Sequence, residues 1–325
     1  MKKLTMALAL ALALALTSCR YKDLCYDHHH DAKPNLKLEL ELKLDLDVDL
    51  DVSVEAHTKI EVPTYLKVCL YDPFSGTLDK TEFVGSYGGP LQVSPGKYNM
   101  VVYSFDTEWT QVRGENSVQT LEAFTSDITD AKMSLLNHFH RNAPAEAPGP
   151  IIYTPDHLLM THKDIEVPPF SDDTLVVTIE ATAATIVETY GIEATNITGI
   201  EYIASAEAFV TNQSRSSFFG RGEKSTEPAT IYFPLEVNRE EGKLETTFNT
   251  FGKLPGESHC YLYILMMDSE GTPYTITEDV TELFNDPGHM IEITDSIDIP
   301  EPAGGGGIAP TVDEWEEINH DVPIG

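Results

Sequence analysis

Histidine and carboxylate side chains gather near the middle of the chain, and both residue types can bind a metal ion. The set consists of His138, His140, His157, His162, Asp156 and Asp164. In an extended chain the imidazoles of His138 and His140 would point to the same side, because side chains alternate along a strand. We favour the interpretation that these are solvated residues of a connecting segment, and we expect no metal site.

The remaining candidates for chemistry are weaker. The run Asp27-His28-His29-His30-Asp31 places its imidazoles on alternate sides of an extended chain, which makes a poor ligand set. The sequence contains no GxSxG, HExxH, P-loop or Rossmann pattern. Acidic residues are so frequent that a glycosidase-like carboxylate pair would arise by chance. We therefore predict a protein that is not an enzyme and that carries no cofactor.

Four cysteines are present, Cys19, Cys25, Cys69 and Cys260, and no two of them form a CxxC pair. A zinc site is therefore unsupported. Cys69 and Cys260 lie in apolar, strand-like runs, which favours buried thiols. An oxidising compartment would permit one disulfide among Cys25, Cys69 and Cys260, and the sequence leaves this open.

The first nineteen residues have the order of a secretory signal. Lys2 and Lys3 precede the apolar run Leu4 to Leu16, and Leu16-Thr17-Ser18-Cys19 closes the segment. The alternative, a membrane-spanning helix, needs about 20 apolar residues, and this run is shorter. The tetrad resembles the lipobox of bacterial lipoproteins, in which the cysteine receives a diacylglycerol, the preceding bond is cut and the new amine is acylated. This resemblance implies lipidation at Cys19, and several acyl chains hold a protein stably on a membrane.

The charge of the chain excludes some partners. With 53 acidic and 21 basic residues the formal net charge is −32. Such a chain repels nucleic acid and anionic surfaces, so we expect no nucleic-acid partner. Its 41% of hydrophobic residues still suffice for a core.

The segment Leu36–Val54 is the first structural element that the sequence predicts after the signal. Every even position is Leu or Val, and every odd position from Lys37 to Ser53 is Lys, Glu, Asp or Ser. This period of two predicts a strand with one buried face. Ordinary strands have about 5–6 residues, so part of the segment should overhang the fold, bend or pass between two sheets. A first strand of the domain is favoured over a strand that pairs with another subunit.

The rest of the chain alternates short strand patterns with Gly- and Pro-containing turns every 8–12 residues, which is typical of a β-sandwich. The predicted organisation is a signal peptide (1–18), a tether (19–35), an N-terminal β-sandwich (36–140), a Pro-rich linker (141–155), a C-terminal β-sandwich (156–299) and a Gly-rich acidic tail (300–325). Residues 213–224 are predicted as a loop, and 279–284 as a short helical turn.

Several motifs together resemble a known family. The run from Cys19 to His28, the Gly88-Gly89 turn, Ser94-Pro95-Gly96-Lys97-Tyr98 and the tail Val312-Asp313-Glu314-Trp315 are similar to a Bacteroidales lipoprotein family of the DUF5119 type. Its members resemble fimbrillin-type proteins and the anchor subunits of type V pili. The resemblance implies an all-β chain of two tandem transthyretin-like β-sandwiches and a role in or near a fimbria. The segment Leu36–Val54 departs from it, since the family's first strand is shorter and less repetitive.

The resemblance leads to two hypotheses. The first is a non-enzymatic lipoprotein of the outer membrane, exposed on the cell surface, that acts as a fimbrial anchor, accessory subunit or adhesin-like platform. Fimbrial subunits would join it by strand addition through Leu36–Val54 or the tail segment Ile308–Ile324. The alternative is a glycan-binding lipoprotein that uses Trp109, Tyr103 and Phe105, although alternating aromatic residues are more often core. Thr174 and Ser296 are candidate O-glycosylation sites.

Overall fold

The computed structural model describes residues 34–46, 60–105, 107–128, 149–168, 176–256, 258–285 and 290–301. Strands of the first half are β1 (Leu36–Leu42), β2 (Tyr65–Tyr71), β3 (Leu78–Gly85), β4 (Gly88–Leu91), β5 (Gly96–Ser104), β6 (Gln111–Arg113), β7 (Glu122–Phe124), β8 (Ile151–Tyr153), β9 (Leu159–Val167) and β10 (Val177–Thr185). They are followed by β11 (Glu188–Ala194), β12 (Ile197–Thr198), β13 (Ile203–Ser214), β14 (Ser216–Phe218), β15 (Glu223–Lys224), β16 (Pro228–Asn238), β17 (Lys243–Thr250), β18 (Tyr261–Asp268), β19 (Pro273–Asp279), β20 (Met290–Ile293) and β21 (Ile297–Asp298). Two short 3₁₀ helices span Ile200–Tyr202 and Thr281–Asn285.

Seven strands form a closed barrel in the order β1-β10-β9-β5-β2-β3-β4, and β4 pairs back to β1. Alternate residues of each strand point inward, as the period-two patterns require. The barrel core contains Leu36, Leu38, Leu40, Leu66, Val68, Leu70, Val84, Leu91, Met100, Val102, Ile165 and Val167.

Seven strands of the second half and β8 form an eight-stranded sheet in the order β19-β18-β13-β16-β17-β11-β20, with β8 paired to β16. All eight strands contribute side chains to one apolar core. Phe233 and Phe248 stack at its centre with ring centroids 4.2 Å apart. Strands β12 and β21 form a separate two-stranded pair.

A third apolar cluster joins the barrel to the eight-stranded sheet. The barrel contributes Cys69, Tyr71, Val101 and Tyr103, and the later part of the chain contributes Val187, Phe219 and Phe251. A four-stranded sheet, β15-β14-β7-β6, covers this region and also combines strands from both halves. The two halves therefore share both a core and a sheet.

The all-β prediction is confirmed, and the helical turn near residue 281 is present as a 3₁₀ helix. Residues 213–224 are not the predicted loop, because they contain the end of β13 and all of β14 and β15. Strands too short to show a period of two carry no sequence signal. Among the described residues, no helix has the length and apolar character to cross a bilayer.

The strand pairing also bears on the predicted boundary at 141–155. Strand β8 begins inside this segment, and β9 and β10 follow it, yet β9 pairs with β5 and β10 pairs with β1 in the barrel. The chain joins the eight-stranded sheet briefly with β8, returns to the barrel for β9 and β10, and stays outside the barrel from Glu188 onward. We propose this point as the junction of the two halves; the division into tandem transthyretin-like domains stays a prediction.

Candidate functional site

Strand β1 connects the N-terminal segment to the body of the protein. It pairs in parallel with β10 from Leu36↔Val177 to Leu42↔Ala183, and antiparallel with β4 from Leu36↔Leu91 to Glu39↔Gly88. Its even-numbered leucines face the barrel core, while Lys37 and Glu41 are exposed. Because β1 has a neighbour on both sides, its removal would open the barrel between β4 and β10.

Asn35 fixes the point at which the chain enters the barrel. Its side-chain amide donates to the carbonyl of Val93 at 2.7 Å and accepts from the Val93 N–H at 2.9 Å. Its backbone N–H donates to Leu91 at 3.2 Å, and its carbonyl accepts from Val177 at 3.0 Å. Since all of these groups are paired, the entry of the chain is tied to both flanking strands.

Gly88 allows β4 to approach β1 closely. Its φ is +92°, and a Cβ at this position would lie 2.1 Å from the carbonyl oxygen of Leu38. Any side chain would therefore collide with the β1 backbone, which cannot move without loss of its pairing with β10. The turn predicted at Gly88-Gly89 is wrong, because both glycines lie in β4 and the turn is formed by Ser86 and Tyr87; Gly88 is instead a packing requirement of β1.

The alternating pattern of β1 continues along the chain beyond Leu42, its last paired residue. Lys43 N–H donates to the carbonyl of Ala183 at 2.8 Å. Leu42, Leu44 and Leu46 pack against Ile60, Leu159 and Ala183. The predicted buried face is therefore present from Leu36 to Leu46, and residues 47–54 of the predicted strand lie outside the described part of the chain.

A polar network connects the two halves at the four-stranded sheet. The carboxylate of Glu122 in β7 is buried and accepts from Arg113 Nε at 2.6 Å and from Nη2 at 2.9 Å. It also accepts from the hydroxyl of Ser216 in β14 at 2.6 Å. Arg215 pairs with Asp127 at 3.0 Å. Burial raises the pKa of Glu122, but the hydrogen bonds from Arg113 and Ser216 outweigh it and hold this pKa below its usual value.

Replacing Glu122 with Gln should lower the free energy of unfolding by about 1–3 kcal/mol, because the buried side chain at this position loses its charge-assisted hydrogen bonds from Arg113 and Ser216. A carboxyl group with a lowered pKa in the folded state stabilises above its unfolded pKa of about 4.3, and that contribution disappears as the pH falls. Urea unfolding between pH 7 and pH 3 should therefore show a shallower acid loss in Glu122→Gln. Glu223→Gln, which removes an exposed pair with Arg221, is the matched control. If both substitutions changed the stability and its pH dependence equally, the stabilising role of Glu122 would be contradicted.

The three aromatic residues of the glycan-binding hypothesis do not share a surface. Tyr103 is fully buried; its hydroxyl donates to Glu115, which also pairs with Lys67 at 2.5 Å. Phe105 packs edge-on against Phe83, and Trp109 packs against Tyr153 with centroids 4.8 Å apart. Tyr103 is thus core, as its alternation with its neighbours suggested, and no observation favours glycan binding.

The candidate metal ligands are separated as well. His157 contacts the hydroxyl of Thr185 at 3.0 Å, and Asp156 accepts from the backbone N–H of Trp109 at 2.5 Å. His162 and Asp164 are exposed on β9. Within the described ranges no group of three His, Cys, Asp or Glu side chains could hold a metal ion. His138 and His140 lie outside them.

The two described cysteines are buried free thiols in different parts of the fold. Cys69 lies in β2, and Cys260 directly precedes β18. Burial raises the pKa of both thiols, that of Cys260 to about 11, so both are unreactive at neutral pH. Cys25 lies outside the described residues, and its pairing stays open.

The predicted modification sites fall mostly outside the described residues, which include neither Cys19 nor Thr174. Ser296 is exposed between β20 and β21, at the rim of a shallow surface groove. Lipidation at Cys19 and glycosylation at Thr174 and Ser296 therefore stay predictions.

Comparison with known proteins found a matching family, a similar protein sequence and similar solved structures. The model of the family described as "Domain of unknown function (DUF5119)" matches residues 18–234. The "Putative fimbrium anchoring subunit Fim4B" of Bacteroides ovatus (strain ATCC 8483) is 24% identical over 304 residues, covering 81% of this chain and 86% of that protein. A crystal structure of a "putative adhesin" from Bacteroides ovatus ATCC 8483 has 21% identity and a TM-score of 0.58, covering 82% of this chain and 92% of that one. At this identity the structure supports the fold alone.

Proposed function

The chain belongs to the DUF5119 family, as the sequence motifs indicated, and from this premise we propose that it is a non-enzymatic fimbrial anchor or adhesin-like subunit of the cell surface. The observation that carries the proposal is the similarity to a protein named as a fimbrium anchoring subunit, which extends over most of both chains. The attachment by a lipid on Cys19 and the location in the outer membrane are part of the same proposal.

The position of β1 supports an anchoring role. A tether that ends at Asn35 passes directly into a strand with partners on both sides. Force applied along the tether would act on both ladders of β1 in shear, so that several hydrogen bonds must break together. A peripheral first strand would detach more easily. The two-sided pairing of β1 therefore supports the proposal that the barrel carries load from its N-terminal end.

Strand addition by a fimbrial partner is the finer part of the proposal. Residues 36–42 of the first candidate donor are already held between β4 and β10, so this segment could serve a neighbour only if the barrel opened. The tail segment Ile308–Ile324 is therefore the donor that we favour. As an acceptor, β19 offers seven residues that pair only with β18 among the described strands, and free backbone groups at a sheet edge can bind an extended peptide.

The proposal is tested by deleting the gene and counting surface fibres by electron microscopy. Without an anchoring subunit, we expect fibres to detach from the cells and to collect in the culture medium, where their major subunit is quantified by immunoblotting. Complementation with the full-length gene should return them to the cells. Unchanged fibre number and unchanged release would reject an anchoring role, and loss of cell adhesion alone would favour the adhesin-like one.

A further inference from the structure

The turn between β2 and β3 exposes an aromatic side chain almost completely. Phe74 is 94% exposed, more than any other large hydrophobic residue of the described chain. Pro73 precedes it, and the ring makes no aromatic contact among the described residues. Single exposed apolar residues are common on protein surfaces, but transfer of this ring from water into an apolar environment would be favourable.

The turn is rigid, so the exposure does not result from a loose loop. The carboxylate of Asp72 accepts from the backbone N–H of Phe74 at 3.0 Å, the N–H of Ser75 at 2.7 Å and the Ser75 hydroxyl at 2.9 Å. Gly76 closes the turn with φ +69°, and its carbonyl accepts from Val118 at 2.9 Å. Phe74 is therefore presented in a fixed place at little further entropic cost.

Phe74 lies at the end of the barrel where the N-terminal segment enters. It shares a shallow groove with Pro95, Gly96 and Tyr98, whose rim also carries Asp79 and Lys97. The Tyr98 hydroxyl donates to the carbonyl of Ser94, and the neighbouring Val93 is bonded to Asn35. A short series of contacts thus connects the exposed ring to the residue at which the chain enters β1.

We propose that the Phe74 turn is a second membrane contact, in which the aromatic ring enters the interface of a lipid bilayer beside the N-terminal anchor. The inference rests on the proposed lipid at Cys19. Sixteen residues separate Cys19 from β1, and they span at most about 55 Å when extended. One ring binds a membrane weakly on its own, but a tether of this length gives it a millimolar effective concentration at the surface.

A matched control lies at the other end of the same strands. Phe83 is 57% exposed on β3, opposite Lys67, and packs against Phe105 beyond the end of β5. The β2–β3 register places it away from the Phe74 turn by most of the length of the barrel. If the tethered end faces the bilayer, Phe83 faces away from it.

The test uses the full-length lipidated chain in phosphatidylcholine vesicles with brominated acyl chains, which quench tryptophan fluorescence only at short range. Phe74→Trp is compared with Phe83→Trp, and the signal of Trp109 and Trp315 is subtracted with the parent chain. We expect the added fluorescence of Phe74→Trp to fall at least twofold and to shift to shorter wavelength, while that of Phe83→Trp stays unchanged. Both sites are exposed, so both variants should fold.

Equal quenching of the two variants would overturn the inference, as would quenching of neither variant while the protein floats with the vesicles. A third contrary result is an emission shift of Phe74→Trp that depends on protein concentration in the absence of vesicles. That result would indicate that a second copy of the chain covers the ring. If the parent chain does not float, the lipid anchor itself is refuted. The unlipidated chain is then attached through an N-terminal hexahistidine tag to nickel-chelating vesicles, and the same comparison decides the role of Phe74.

Discussion

Replacing Gly88 with Ala is expected to destabilise the protein by about 3 kcal/mol or more. At φ +92° a Cβ would lie 2.1 Å from the Leu38 carbonyl oxygen and 2.7 Å from its carbonyl carbon. The obstacle is backbone, so no rotamer change relieves it. Either β4 or β1 must move, and the pairs Leu38↔Gly89 and Glu39↔Gly88 must be lost. Urea unfolding followed by fluorescence measures the loss.

Gly85→Ala is the control for this prediction, because Gly85 ends β3 in the same hairpin. A Cβ at position 85 would meet only the carbonyl oxygen of Gly88 at 3.8 Å, an ordinary contact. We expect a change within about 1 kcal/mol, stabilisation included, since alanine reduces the freedom of the unfolded chain. Comparable destabilisation by the two substitutions would show that the hairpin, and not the approach of β4 to β1, limits stability.

The sequence of β1 shows what a pattern can predict and what it cannot. The alternation from Leu36 onward correctly predicted which side chains face the core, because a period of two determines the faces of a strand. It could not identify the partners, since hydrogen bonding to β10 in parallel and to β4 in antiparallel orientation involves only backbone groups. The length of the strand was also hidden, because the alternation continues after the pairing ends at Leu42.

The junction that we propose after Thr185 depends on strand pairing that the sequence does not show. Prolines and glycines in 141–155 indicate a break in local structure, but they do not show which sheet the next strand joins. Strands β9 and β10 return to the barrel because β5 and β1 offer edges there. The Glu122 network was equally invisible, since Arg113, Glu122 and Ser216 meet only after β14 has paired with β7. Glu122 and Ser216 are 94 residues apart in the sequence, and no local sequence pattern indicates a contact between them.

Phe74 could have been suspected from the sequence, because Asp-Pro-Phe-Ser-Gly is a turn signal with an apolar residue at its tip. The position of Phe74 relative to the N-terminal segment could not have been predicted, because it depends on the hydrogen bonds between Asn35 and Val93. The Cys69 and Cys260 interpretation succeeded for the opposite reason: an apolar run around a cysteine is sufficient to predict its burial.

Replacing Cys19 with Ala should abolish stable membrane attachment, the largest functional effect that we predict. The substitution removes the only sulfur that the lipobox resemblance assigns to lipid transfer, so the signal segment should stay uncut and unacylated. Its apolar run of thirteen residues is shorter than the about 20 needed to span a bilayer. Membrane fractionation with detergent phase separation, and mass spectrometry of the N-terminal peptide, measure the loss of acyl chains.

Cys25→Ala is the matched control, since it removes a thiol only six residues later and leaves the tetrad Leu16-Thr17-Ser18-Cys19 intact. We expect normal attachment and cell-bound fibres in this variant, whereas Cys19→Ala should release fibres into the medium as the gene deletion does. Attachment that persists in Cys19→Ala would refute the lipid anchor. A third outcome is that Cys19→Ala loses its membrane attachment while the fibres stay on the cell. This would show that the native chain is lipidated but does not anchor the fibre, and that the barrel carries no load.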